Sequence, residues 1–301
     1  MGFTIKRNEQ VQKAFRRLGR SQINKALKQL RKPDQLEALH EVRKSIKRIR
    51  AFLRLFRGSM SKANYHRCME PLRNAAGPLG VARDAHVKLN AIVALINRFK
   101  RELPAREFAP LQEAFSQQCR EQERGLCANK TFFHVSRLLK EACREIPAVR
   151  LKTSGWPALA SGYKKSYLAG QRAFSTVKKN PTGERFHDCR KRVKDLYYQI
   201  GLLKKIQPEA IARAKETLER LGQCLGEDHD LFLLTETYMG EQVAFRSTKC
   251  IKELHRIITL RQRELRSEAI TLATEFYRQN PSSFCKELRR HWKQWRQGPG
   301  R

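Results

Sequence analysis

Apolar residues recur at three- and four-residue intervals along almost the whole chain, and no stretch alternates strictly between apolar and polar. That periodicity predicts an all-α fold. Breakers punctuate it at Pro33-Asp34, Gly58-Ser59, Gly77-Pro78, Pro104, Pro147, Gly155-Trp156-Pro157, Asn180-Pro181, Pro208 and Asn280-Pro281. Asp34 and Thr182, each beside a proline, stand where N-caps precede the next helices.

Two of the expected helices share one pattern, LHEVRKSIKRIRAFLRLFRG from Leu39 and FHDCRKRVKDLYYQIGLLKK from Phe186. At 100° per residue, Leu39, Val42, Ile46, Ile49, Leu53 and Phe56 form the core face of the first. Phe186, Cys189, Val193, Leu196, Ile200 and Leu203 form it in the second. A second row flanks each core face. It reads His40, Arg43, Lys47, Arg50, Arg54 and Arg57 in one helix, and His187, Arg190, Lys194, Tyr197, Gly201 and Lys204 in the other. Lys44, Arg48, Lys191 and Arg192 fill the more exposed side.

The repetition extends further. PLGVARDAH, from Pro78, resembles CLGEDHDLF, from Cys224, with Leu79-Gly80 against Leu225-Gly226 and Asp84 against Asp230. Two features in the same order and at nearly the same offset indicate a duplicated unit, not a solenoid. One domain is expected, built from an N-terminal half 1–150 and a C-terminal half 151–297 joined around Arg150 to Pro157, with a frayed tail 298–301.

Charge changes the picture most. The 301 residues carry 63 Lys and Arg against 29 Asp and Glu, a formal net charge of +34. Such self-repulsion does nothing for a fold and points to a polyanionic partner. Nucleic acid, an anionic membrane and an inorganic phosphate polymer remain open on composition alone. No apolar run is long enough to span a bilayer, and the start MGFTIKRNEQ lacks the apolar stretch of an export signal. The eight cysteines show no CxxC or metal-ligand spacing, so free thiols in a reducing cytosol are expected, with no zinc and no other metal.

A charge run is ordinarily a solvated helix face. Here the cationic row borders the core, where unpaired charge is costly. Neither helix has enough acids in register to neutralise it, and the same residue types recur in both halves. The matched histidines lie near helix N-termini, where the dipole favours an anion and a protonated imidazole donates from both nitrogens. No nucleophile or paired carboxylate recurs with them, so binding is favoured over catalysis.

HEVRKSIKRIR and HDCRKRVKDLYY, each followed by an LG-x-x-x-D element, resemble the CHAD family, the conserved histidine α-helical domain. YKKSYLAGQRAFSTV, from Tyr163, is also similar to the helix preceding that family's second motif. The resemblance spans roughly Val11 to Arg290. It implies two four-helix-type halves related by pseudo-twofold symmetry around a basic central cavity. It also implies non-catalytic binding of inorganic polyphosphate, with phosphate or sulfate fitting the same site, and a cytoplasmic protein associated with polyphosphate granules. The family's site falls here on His40, Arg43, Lys44, Lys47, Arg50, His187, Arg190, Lys191 and Lys194. Arg54, Arg57 and Lys204 are added from the helical wheel. No cofactor is implied. Asp195, Tyr197 and His229 depart from the basic pattern, so the second half is expected to grip an anion less tightly.

Three rivals stand beside that reading. A nucleic-acid-binding module fits the charge equally well, although aromatics touch the basic rows only at Tyr197 and Tyr198. A phosphate-processing enzyme lacks a GxxxxGK[ST] loop, and EQER from Glu121 and EDHD from Glu227 read more simply as helix-end acids. A membrane-surface helix at RRHWKQWRQ, from Arg289, competes with plain docking of Trp292 and Trp295 on the core.

Overall fold

The computed structural model describes residues 2–32, 35–128, 130–206, 208–240 and 248–298. These residues form helices and connecting turns. In chain order the helices are α1 (Val11–Gln29), α2 (Gln35–Phe56), α3 (Lys62–Ala76), α4 (Pro78–Arg98), α5 (Ala105–Ala128), α6 (Thr131–Ala148), α7 (Pro157–Lys179), α8 (Gly183–Gly201), α9 (Pro208–Gly240), α10 (Thr248–Phe276) and α11 (Pro281–Gln297). A short 3-10 turn, Arg57–Ser59, follows α2.

Local chemistry starts and stops these helices where the breakers sit. The Thr182 hydroxyl accepts from the Arg185 N–H at the head of α8. Ser61 does the same for α3, and Asn280 accepts from two N–H groups ahead of α11. The expected cap at Asp34 lies outside the described residues. Pro147 does not break its helix at once; α6 runs through it and ends one residue later, at Ala148. The helix beginning at Gly183 stops at Gly201, so Leu203 and Lys204 lie in the turns beyond it.

All twelve residues assigned to the two core rows are buried, Leu203 included. Each such side chain contributes about 1.5–3 kcal/mol of transfer free energy. Helices α1, α2, α3 and α6 pack on one another, while α7, α8, α9 and α10 pack in sequence and α11 lies against α7; α2 meets both α7 and α8, and α4 meets α9. The connection between the proposed halves runs through 149–156, where the Lys152 N–H bonds the Ser59 carbonyl.

Close approach fixes the α2–α7 crossing. A Cβ at Gly162 would stand 1.9 Å from the Leu55 carbonyl oxygen, so only glycine lets α7 seat there. The Tyr163 hydroxyl then donates to the Gln199 carbonyl at 2.9 Å, and the Gln199 side-chain amide donates to the Ala51 carbonyl at 2.9 Å. Three helices are thereby locked in register around the α2–α8 crossing. At the far end Trp292 and Trp295 are buried against the body, which withdraws both anchors from a membrane-surface role. No described helix is long and apolar enough to cross a membrane.

Candidate functional site

Beside the α2–α8 crossing the two cationic rows converge. Lys47 of α2 is surrounded by the charges of Arg190, Arg43, Arg83 and Lys194. The Lys47 side chain keeps access to solvent although these charges crowd around it. Loss of solvation, then these four cations, push its pKa down to about 7. Arg43, Arg190 and Lys194 are likewise held below their ordinary values, burial first and neighbouring cations after it.

Two donors in this cluster are buried without a hydrogen-bond partner: Nη1 of Arg43 and Nε of Arg190. They belong to matched residues of the repeat. Each guanidinium lies beside a matched glycine. A Cβ at Gly80 would lie 3.6 Å from Arg43 Nη1, and one at Gly226 3.5 Å from Arg190 Nη2, both ordinary contact distances. Arg43 thus rests beside α4 and Arg190 beside α9.

Arg83 of α4 is a site residue the helical wheel missed. One Nη donates to Asp84 at 3.2 Å and the other to Asp230 of α9 at 3.1 Å. Both aspartates of the LG-x-x-x-D elements are thus engaged by a single arginine. The remaining acids of EDHD are also taken, Glu227 by Arg261 at 2.6 Å and Asp228 by Arg266 at 2.6 Å. Among the described residues no group of three or more His, Cys, Asp or Glu gathers as a metal-ligand set.

The histidines part company. His187 packs its ring on His229, with centroids 3.9 Å apart. Burial, then Lys191 and Arg190, push His187 down to about 4. Burial, then His187 and Arg190, push His229 down to about 3. Both imidazoles are neutral at neutral pH in the free protein; for His187, expected to favour an anion from its place near a helix N-terminus, loss of solvation and then the surrounding cations outweigh the helix dipole. His40 is exposed, and the residue matching His229 in its half is Arg83. The alignment of PLGVARDAH with CLGEDHDLF had placed Arg83 and His229 at one position; only their proximity to the basic rows was hidden.

The other nominated residues spread outward. Lys44 bonds Glu41 at 3.0 Å, and Lys191 bonds Asp188 at 2.9 Å, both i,i+3 pairs that the sequence reading undercounted. Arg50 has a buried, unpartnered Nε and lies near Arg54 and Asp195. Arg54 is not free but pairs with Asp195 at 2.7 Å, so that departure in the second half neutralises a cation of the first. Arg57, in the 3-10 turn, rests over the Tyr65 ring at 5.0 Å. Lys204 is exposed in a turn, where the helical wheel no longer applies. Tyr197 faces two ammonium groups, Lys215 at 4.9 Å and Lys194 at 5.5 Å from its centroid.

The sequence model of the CHAD domain matches residues 10–238. No curated protein matches the chain in sequence. Among solved structures, PptA from Streptomyces chartreusis superposes with a TM-score of 0.60 at 15% identity, covering 91% of this chain and 96% of that one. The CHAD domain from the plant Ricinus communis superposes with a TM-score of 0.56 at 15% identity, covering 93% of this chain and 89% of the other.

Proposed function

The chain belongs to the CHAD domain family, and from that premise we propose that it binds inorganic polyphosphate without chemically altering it, in the cleft beside the α2–α8 crossing. The observation that carries the reading is the convergence of Arg43, Lys47, Arg83, Arg190 and Lys194 around two carboxylates that Arg83 already holds. Cations crowded in this way, with buried donors of Arg43 and Arg190 left open, are stable chiefly when an anion fills the space between them.

A phosphate chain fits that need. It offers a charge on every unit, accepts bidentate arginine forks and carries no bases that require stacking platforms. Lys47 supplies adaptable point charge between the two forks. Outside the cleft, Lys44 and Lys191 form its shoulders, and Arg50 extends it along α2. His187 contributes as a neutral edge and gains a proton only when an anion offsets its neighbours. A cytoplasmic, granule-associated protein is the setting this reading implies.

Labelled long-chain polyphosphate at about 0.15 M salt, challenged with excess RNA, DNA or short phosphates, tests it. Competition by polyphosphate alone is expected. Equal displacement by RNA would make nucleic acid the leading partner, and orthophosphate release would replace binding with hydrolysis.

A further inference from the structure

A second concavity lies on the other side of α8. At 100° per residue, Arg190 and Lys194 leave that helix on one flank, Arg192 and Asp195 on the other. α2 carries Arg54 and the 3-10 turn after it carries Arg57 beyond the crossing, and α7 flanks the wedge with Lys165 and Ser166. Its volume is about 210 Å³, and it is open to solvent on one side.

We infer that this wedge is a second anion site, separate from the central cluster, that takes a terminal phosphate group, supplied either by free pyrophosphate or by the end of a phosphate chain. It rests on the phosphate-binding reading of the protein but stands on different residues. Four cations line it against one carboxylate, and that carboxylate is spent on Arg54. Only one Nη of Arg54 is engaged there, which leaves the rest of its fork for a ligand. Tyr65 steadies Arg57 without neutralising it. Lys165 and Arg192 have no ion-pair partner among the described residues. The Ser166 hydroxyl adds an uncharged donor.

Size narrows the ligand. The volume falls below the roughly 300–1,000 Å³ of sites for larger organic molecules and suits one or two phosphate groups. The walls are fixed, because the Gly162 contact seats α7 on α2. The repeat supplies no twin. Gly201 stands at the position of Arg54, Ser45 at that of Arg192 and Arg48 at that of Asp195. The wedge therefore occurs once, where the central cluster draws on both halves.

The test is calorimetric titration of the full chain with pyrophosphate, using R43E/R190E, K165E/R192E and the combined fourfold variant. R43E/R190E is expected to retain one pyrophosphate site, and adding K165E/R192E is expected to weaken it about tenfold or more. If R43E/R190E binds none while K165E/R192E still binds, small anions sit only in the central cluster and the inference falls, with the polyphosphate reading intact. If instead R43E/R190E leaves long-chain affinity unchanged, the central reading falls, whatever the wedge does. Chains capped at both ends separate the sources. Weaker binding of capped chains by wild type, but not by K165E/R192E, assigns the wedge to a chain end; no capping effect assigns it to free pyrophosphate. Absence of both pyrophosphate binding in R43E/R190E and a capping effect overturns the site. Helical circular dichroism checks each variant, with K165Q/R192Q replacing the reversal if it does not fold.

Discussion

Arg83 of α4 donates to Asp230 of α9 at 3.1 Å, joining the LG-x-x-x-D elements of the two repeats. The contact sits among the cations of the central cluster, and it accounts for an aspartate at the same place in both repeats. Burial nevertheless raises the Asp230 carboxyl above its ordinary range, outweighing the pull of Arg83 and Arg190.

Replacing Arg83 with Met should therefore raise the Asp230 pKa further. A raised carboxylate makes the ionised form costly: its contribution to stability is present below the ordinary range and fades as pH rises through the folded value. The Asp230 carboxyl carbon, followed by NMR across an acid titration, should show its midpoint moving up in Arg83→Met. Polyphosphate affinity should drop about tenfold in the same variant, since one phosphate contact is lost. An unmoved midpoint would remove the Arg83–Asp230 pair from the account.

Lys47 should couple binding to protons. In the free protein its pKa is about 7, so near neutrality the group is only partly charged. A bound polyanion favours the charged form and raises the value. Affinity is then greatest below pH 7 and weakens as pH rises from 7 toward 9, with net proton uptake at pH 7.5. Titrations in buffers of different ionisation enthalpy measure that uptake directly. Lys47→Met should abolish most of it. The depressed value also means that charged Lys47 costs the free fold stability, a cost that is full below 7 and relieved progressively as pH rises from 7 toward the ordinary lysine value of about 10.5. The Met variant should accordingly melt a few degrees higher than wild type at pH 6 without ligand.

Counterion release gives a third check. The slope of log K against log salt should be steep for wild type and should shrink in magnitude by about 2 in R43Q/R190Q, about one per lost phosphate contact. An unchanged slope would mean that these arginines do not touch the chain.

Gly162 and Gly226 should respond very differently to alanine. At Gly162 the new Cβ would strike the Leu55 carbonyl, and α7 would have to back away from α2. A loss of about 3 kcal/mol or more is expected in urea unfolding. At Gly226 the Cβ meets Arg190 at ordinary contact distance, so Gly226→Ala should fold and chiefly disturb binding.

Much of this was legible in one dimension. The core rows of α2 and α8 follow from helical periodicity, because burial demands a continuous apolar stripe whatever lies opposite. Thr182 announces its cap by residue type and by the proline before it. The matched Leu-Gly pairs mark the two places where a guanidinium lies beside helix backbone. The errors share a cause. The helical wheel extends indefinitely, so it carried Lys204 into a turn, and it gave no sign that Asp195 engages one Nη of Arg54. It also treated His40 and His187 as equals, although only His187 has a second histidine to pack against.

Sequence alone determined the all-α fold, the two basic helices and the surplus of charge, for each depends on residue type and local spacing. Only tertiary structure decided which cations meet. Arg83 enters the cluster from another helix, Asp230 answers it from the other repeat, and the Lys47 pKa is pushed down to about 7 by loss of solvation first and then by cations that include Arg190 and Arg83. Electrostatic energy depends on separation in space and on access to water, and neither is written in the order of residues.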